Sequence, residues 1–261
     1  MKFSIEDEPW FLSTSTADAI SLVIALKAGD LRTVRALFEM SAALSNVRLI
    51  GDNGSRESWR TPLHVITDWP GFFDNAPEMA KLIMEAGGNP NIDCGGSMPE
   101  TPLHYLASSD DVDVARVLID GGADINRAGG SIGKPLDNAV GYGCWSVAAL
   151  LVARGARVDS LWVAAGVGLT DRIAELIELR GIDRSATGSD DLEGAFSQSD
   201  LDQALWHGCQ GGNVRAVKLL LTYGASFESR PDYAGDQSHQ EVVNSLGTQR
   251  QHLLEFLSKQ P

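Results

Sequence analysis

Cysteine is scarce in this chain and cations are outnumbered. Only three cysteines, Cys94, Cys144 and Cys209, occur in 261 residues; they are far apart and odd in number. That excludes a disulfide framework and any paired-cysteine zinc spacing. Lys and Arg total 21 against 35 acids, for a formal net charge of −14. Such a balance lacks the cationic face that nonspecific binding to nucleic acid or to an anionic membrane needs, so neither is expected as a partner. No run approaches the roughly 18 apolar residues of a membrane span. The best, AISLVIAL at 19–26, is broken at once by Lys27. The opening MKFSIEDEPWF carries acids where a signal peptide would carry its apolar run. A soluble, cytoplasmic chain with reduced thiols is the expectation. What is present is apolar material for a core, 43% of the residues.

That material is organised as repeats. TPLHVI at 61–66 returns as TPLHYLA at 101–107, and in worn form as KPLDNAV at 134–140. The last two starts are 33 residues apart and the first two 40. A second segment recurs in the same frame: LIMEAGGNPN (82–91), VLIDGGADIN (117–126), LLVARGARVD (150–159) and LLLTYGASFE (219–228). Each copy is an apolar helical end, a glycine and an extended exit. Thr61 and Thr101 suit a helix N-cap, and the following prolines suit the first turn, where a missing N–H costs nothing. Gly87, Gly122, Gly155 and Gly224 stand just past a helix, where a left-handed cap favours glycine. Lys134 replaces the capping Thr, a loss of about 1 kcal/mol.

Thr-Pro-Leu-His at a 33-residue period, with these second halves, resembles the ankyrin repeat, and in its irregularity the ankyrin proteins found widely in bacteria. Fainter copies at 21–38, 160–177 and 204–221 place the key core leucines at 22, 63, 103, 136, 161 and 205. The resemblance implies an all-α ankyrin-repeat solenoid of about six helix-turn-helix repeats with hairpin fingers. A single domain over 1–261 is expected, with repeats near 18–45, 61–92, 101–127, 134–159, 160–183 and 203–228, and a C-terminal helical cap over 237–259. The steps between key leucines are 41, 40, 33, 25 and 44 residues. The long steps come from an enlarged finger at 46–60, an enlarged turn at 67–78 and a glycine-, serine- and acid-rich loop at 181–200. The short step leaves no room for a finger. Insertions of this kind often mark a binding face.

The stretch AGGSIGKP at 128–135 imitates a phosphate-binding loop. It has Ala128 where that pattern needs glycine and Pro135 where it needs Ser or Thr, and it sits where a finger belongs. His64 and His104 belong to the repeat motif, with ring nitrogens expected to satisfy backbone groups. Cys144, His104 and Asp137 are a poor triad, because no glycine elbow accompanies the thiol. Ser189, Asp190, Asp191 and Glu193 lack the alternation of a calcium loop. No catalytic group, metal or cofactor is expected.

Recognition of a protein partner is what the resemblance implies, through the concave face and the enlarged fingers. Trp59, Arg60, Trp69, Phe72, Phe73 and Tyr142 form the expected anchor group, since aromatics and Arg dominate interface energetics. Asp68, Ser108, Ser109 and Asp110 complete the candidate surface. Phe72 and Phe73 have a rival role, folding back as core beneath the enlarged turn, and core filling is the expected role of Trp162 and Trp206. The acids Glu100, Asp110, Asp111, Asp113, Asp120 and Asp124 stand against Arg116 alone. On one face they would steer a basic partner. Two readings remain open: an adaptor or scaffold, monomeric when free, or an immunity- or antitoxin-type inhibitor masking a basic toxin or nuclease. An enzyme is the remote third.

Overall fold

The computed structural model describes residues 11–14, 16–50, 57–185, 194–229, 231–244 and 251–257. Its contacts gather into two compact units, 1–156 and 157–261. The boundary falls in the interval where successive key leucines, Leu136 and Leu161, are only 25 residues apart.

In the first unit the Thr-Pro pairs start helices as expected. Thr61 and Thr101 cap α3 (Pro62–Thr67) and α5 (Pro102–Ser109). The histidine three residues on closes each box. His64 Nδ1 accepts from the Thr61 backbone N–H at 3.1 Å and lies 2.8 Å from its hydroxyl. His104 repeats the arrangement with Thr101 at 3.1 and 2.9 Å. A backbone donor at Nδ1 leaves the proton on Nε2, and His64 Nε2 donates it to the Glu100 carbonyl at 2.9 Å, tying one repeat to the next. His104 Nε2 makes no bond of that geometry, although the Gly133 and Arg127 backbones lie near enough to act on its ring. Where Lys134 stands in for Thr, half of the box survives, because the Asp137 carboxylate accepts from the Lys134 backbone N–H at 2.9 Å.

Two rows of helices result. The inner row packs α1 (Ala17–Lys27) on α3, α3 on α5, and α5 on α7 (Pro135–Gly141). The outer row packs α2 (Leu31–Met40) on α4 (Ala76–Glu85), α4 on α6 (Val112–Asp120), and α6 on α8 (Trp145–Ala153). Asp30 and Asp111 cap α2 and α6, accepting from the backbone N–H groups of Thr33 and Val114. Gly87, Gly122, Gly155 and Gly224 all take positive φ, from +86 to +97°, as the helix ends require. Asn46 and Asn91, which the repeat pattern did not single out, clamp each exit onto the next: their side-chain amides donate to the Gly87 and Gly122 carbonyls at 2.7 and 2.9 Å.

One departure from an all-α chain lies in the enlarged finger. A three-stranded sheet runs in the order β1 (Phe11–Ser13), β2 (Arg48–Ile50), β3 (Trp59–Arg60). β1 pairs parallel to β2, and β2 antiparallel to β3. Leu49 and Ile50 are buried, so the backbone between them needs ladder partners in place of water. Residues 51–56, which carry most of the NGSRES finger, lie outside the described residues.

In the second unit α9 (Leu161–Gly166) packs on α11 (Gln198–Gln210), and α10 (Thr170–Arg180) on α12 (Val214–Thr222). Helices α13 (His239–Asn244) and α14 (Gln251–Leu257) cover α11 and α12 in turn. The expected loop at 181–200 is corrected at both ends. Ile182 bridges to Phe196, and α11 begins before the loop was to end. The reason is a capping box: Ser197 Oγ accepts from the Asp200 N–H at 3.2 Å, and the Asp200 carboxylate accepts from the Ser197 N–H at 2.7 Å. Ser189, Asp190, Asp191 and Glu193 lie outside the described residues. All six key leucines are buried, none more than 2% exposed. Trp206 is buried in the core, while Trp162 is half-buried with its ring 4.7 Å from that of His207.

Candidate functional site

The candidate surface lies in the first unit, where the enlarged turn between α3 and α4 meets the β-sheet finger. The turn is held from both sides. The Phe72 backbone N–H donates to the Asp111 carboxylate at 3.1 Å, and Asp111 itself is buried at the start of α6. On the other side the Asn75 amide donates to the Gly29 carbonyl at 3.0 Å. Gly71 sits at φ +75° against Ser109, where a Cβ would stand 2.7 Å from the serine Cβ. Only glycine fits there. On this fixed turn Trp69 is 74% exposed and Phe72 67% exposed, while Phe73 is half-buried. The two phenylalanines therefore divide the roles weighed for them: Phe72 points outward and Phe73 is partly covered. Asp111→Ala should cost about 1–2 kcal/mol, because it removes a helix cap and strands the Phe72 N–H. A thermal melt checks this.

Beside the turn, Trp59, Arg60 and Asp68 come together at a cleft of about 270 Å³, lined also by Thr14, Val23, Lys27, Leu49, Ser58 and Val65. Arg60 Nη1 lies 2.7 Å from the Asp68 carboxylate, and its Nε donates to the Tyr105 hydroxyl at 3.2 Å. Burial alone would lower the pKa of this guanidinium, yet Tyr105 and Asp68 raise it overall. Burial, with the Cys94 thiol alongside, pushes the Tyr105 hydroxyl up to about 12. Trp59 is half-buried, with the Arg48 guanidinium 4.1 Å from its ring centroid. Tyr105 was not among the sequence candidates. Its place in the repeat frame reads as an ordinary helix residue, and only the fold brings it to Arg60.

The other candidates are spoken for internally. Ser108 Oγ donates to the Tyr105 carbonyl at 2.7 Å, and Ser109 packs beneath Gly71. Asp110, at φ +58°, accepts from the Ser146 and Val147 N–H groups at 3.3 and 2.8 Å, so it caps α8 of the following repeat. Tyr142 is half-exposed and does not line the cleft; its hydroxyl is 2.9 Å from Ser131 Oγ. Several of the acids expected on one face also have local structural roles. Glu100 accepts from the Ser131 N–H and the Asn138 amide, Asp120 pairs with Arg154, and Asp124 accepts from the Asn126 N–H. These three acids fasten turns and fingers, while Asp113 stays exposed.

AGGSIGKP is a finger. The Ile132 and Gly133 N–H groups donate to buried Asn138, at 3.1 and 3.2 Å, and the Gly130 N–H to the Pro99 carbonyl at 3.0 Å. Its donors point inward, away from any phosphate. The three cysteines are buried and free; burial pushes the thiols of Cys144 and Cys209 up to about 11 and 12, which leaves them poor nucleophiles. Among the described residues no group of three His, Cys, Asp or Glu could hold a metal ion, and no helix is long and apolar enough to cross a membrane.

Paired helices stacked in two rows, Thr-Pro-Leu-His caps and fingers that tie neighbours are the features of ankyrin repeats. The family model described as ankyrin repeats (3 copies) matches residues 71–161. Two human proteins are similar to this chain, each 28% identical. Ankyrin repeat and SOCS box protein 16 aligns over 235 residues, covering 65% of this chain and 50% of that protein. Transient receptor potential cation channel subfamily A member 1 aligns over 141 residues, covering 50% of this chain and 12% of that protein. The chain thus spans about half the length of the first and a small part of the second. Among solved structures, the ankyrin repeat domain of human ASB11 gives a TM-score of 0.47 at 21% identity, over 92% of this chain and 98% of that one.

Proposed function

We propose that this chain is a non-catalytic protein-binding module, an adaptor or scaffold, that holds its partner through the 68–75 turn and the adjoining cleft. The observation that supports this most directly is the exposure of Trp69 and Phe72 on a turn fastened from both flanking repeats. Large aromatics on an ordered surface lose little freedom on binding and make good anchors. The adaptor reading is placed before the masking of a basic toxin or nuclease, because the latter draws only on the net charge of −14, whereas the exposed aromatics suit either kind of partner. The test is capture of partners from native lysate by the wild-type chain and by the W69A/F72A double variant. Both side chains are mostly exposed, so the variant should melt at the wild-type temperature. It should bind the captured partner about 30-fold or more weakly, the loss expected on removing a hot spot worth about 2 kcal/mol. Undiminished capture by a folded W69A/F72A variant sinks this assignment.

A further inference from the structure

The cleft beside the turn is lined by two cations, Lys27 and Arg60, and one acid, Asp68. Its acid is already satisfied: Asp68 Oδ2 pairs with Arg60 Nη1 at 2.7 Å, and Oδ1 accepts from the Trp69 N–H at 3.0 Å. Its cations are satisfied only in part. Arg60 Nη2 takes no partner among the described residues, and neither does exposed Lys27. A chain with a net charge of −14 therefore places a surplus positive charge among the residues lining this cleft. The wall is apolar, formed by Val23, Leu49, Val65 and the Trp59 indole. The volume, about 270 Å³, falls below the roughly 300–1,000 Å³ of small-molecule sites, and it suits one or two side chains.

We infer that this cleft receives an extended segment of the partner protein in which a carboxylate side chain neighbours a large apolar one. The apolar side chain covers the Val23–Leu49–Val65 wall, and the carboxylate lies between the Lys27 ammonium and the open edge of Arg60. A basic segment would bring like charge against Lys27, and a wholly apolar one would desolvate two cations without compensation. The inference rests on the protein-binding reading above and names the partner chemistry for part of that site.

The experiment pans a displayed library of random decapeptides against the immobilised full-length chain, as wild type, Lys27→Glu and W69A/F72A. The wild-type winners should place Asp or Glu beside Leu, Ile, Phe or Trp. A synthetic winner should bind about fivefold or more weakly after exchange of its acid for the amide, and should weaken with added salt. Lys27→Glu should weaken the same peptide about tenfold or more. Basic winners, wholly apolar winners, no winners, or an unchanged affinity for Lys27→Glu would each overturn the assignment. The W69A/F72A arm separates the two readings. Loss of partner capture in that variant, with no acidic peptide selected by the wild type, removes the cleft assignment and leaves the turn standing. Acidic peptides bound by a variant that still captures the partner remove the turn and leave the cleft.

Discussion

Acidification from pH 7 to pH 4 is expected to remove about 3 kcal/mol from each unit, through one buried histidine in each. His64 is fully buried, and burial drives its pKa from 6.5 down to about 4. His207 in the second unit is lowered to about 4 for the same reason. In the fold His64 Nδ1 must accept from the Thr61 N–H, so a proton placed there would set donor against donor. The unfolded chain binds that proton near pH 6.5 and the folded chain only near 4. Stability is therefore complete above about 6.5, declines through the window, and stops declining from this source below about 4. His104, lowered by burial as well, adds to the first unit. The loss from Asp30, whose pKa the Thr33 hydroxyl lowers, begins only as the pH nears the ordinary value of 3.8, at the acid end of this window. Urea titrations at pH 7, 6, 5 and 4.5 should show a slope of up to about 1.4 kcal/mol per pH unit for each histidine. His64→Asn should lower stability at pH 7 yet reduce the slope of the first unit alone, leaving the share of His104. A flat wild-type profile from 6.5 to 4.5 would mean that these imidazoles ionise in place.

The repeat core was legible because its determinants are local. Each repeat encodes its own cap, leucine and glycine at fixed offsets, so six positions from Leu22 to Leu205 could be placed by spacing and all proved buried. What spacing could not reveal is where a side chain serves a distant partner. Asp110 reads as a surface acid of its own repeat, yet its carboxylate serves N–H groups 36 and 37 residues away. Asp111 holds Phe72 across 39 residues, and Asn138 organises a finger that reads as a glycine-rich loop. The sheet joins Phe11, Arg48 and Trp59 from three separated segments, each too short to carry a strand pattern of its own. The candidate site was half legible for the same reason. Composition pointed to Trp69 and Phe72, while the fastening that keeps them exposed, and the part Tyr105 takes beside Arg60, depend on contacts between repeats.

Trp206→Ala is expected to destabilise the second unit by about 3–5 kcal/mol, the range for deleting a buried Trp. The indole is 1% exposed, clusters with Ala234 and Val242, and meets the His239 ring edge-on at 5.0 Å. Those neighbours come from α13 and the 3-10 turn at Asp232–Ala234, while Trp206 itself stands on α11, so the side chain joins the last full repeat to its cap. Truncation leaves a void that three elements must close at once, and a unit whose total stability lies in the usual 5–15 kcal/mol range has little reserve. Trp206→Phe separates volume from polarity. Among the described residues the buried indole N–H finds no acceptor, a deficit that costs about 1–3 kcal/mol. Phenylalanine removes that donor while keeping most of the apolar contact, so the variant should stay within about 1.5 kcal/mol of wild type. Urea midpoints of the two variants decide the matter. A Phe variant as unstable as the Ala variant would mean that the N–H is satisfied and that the indole acts as a polar link as well as a filler.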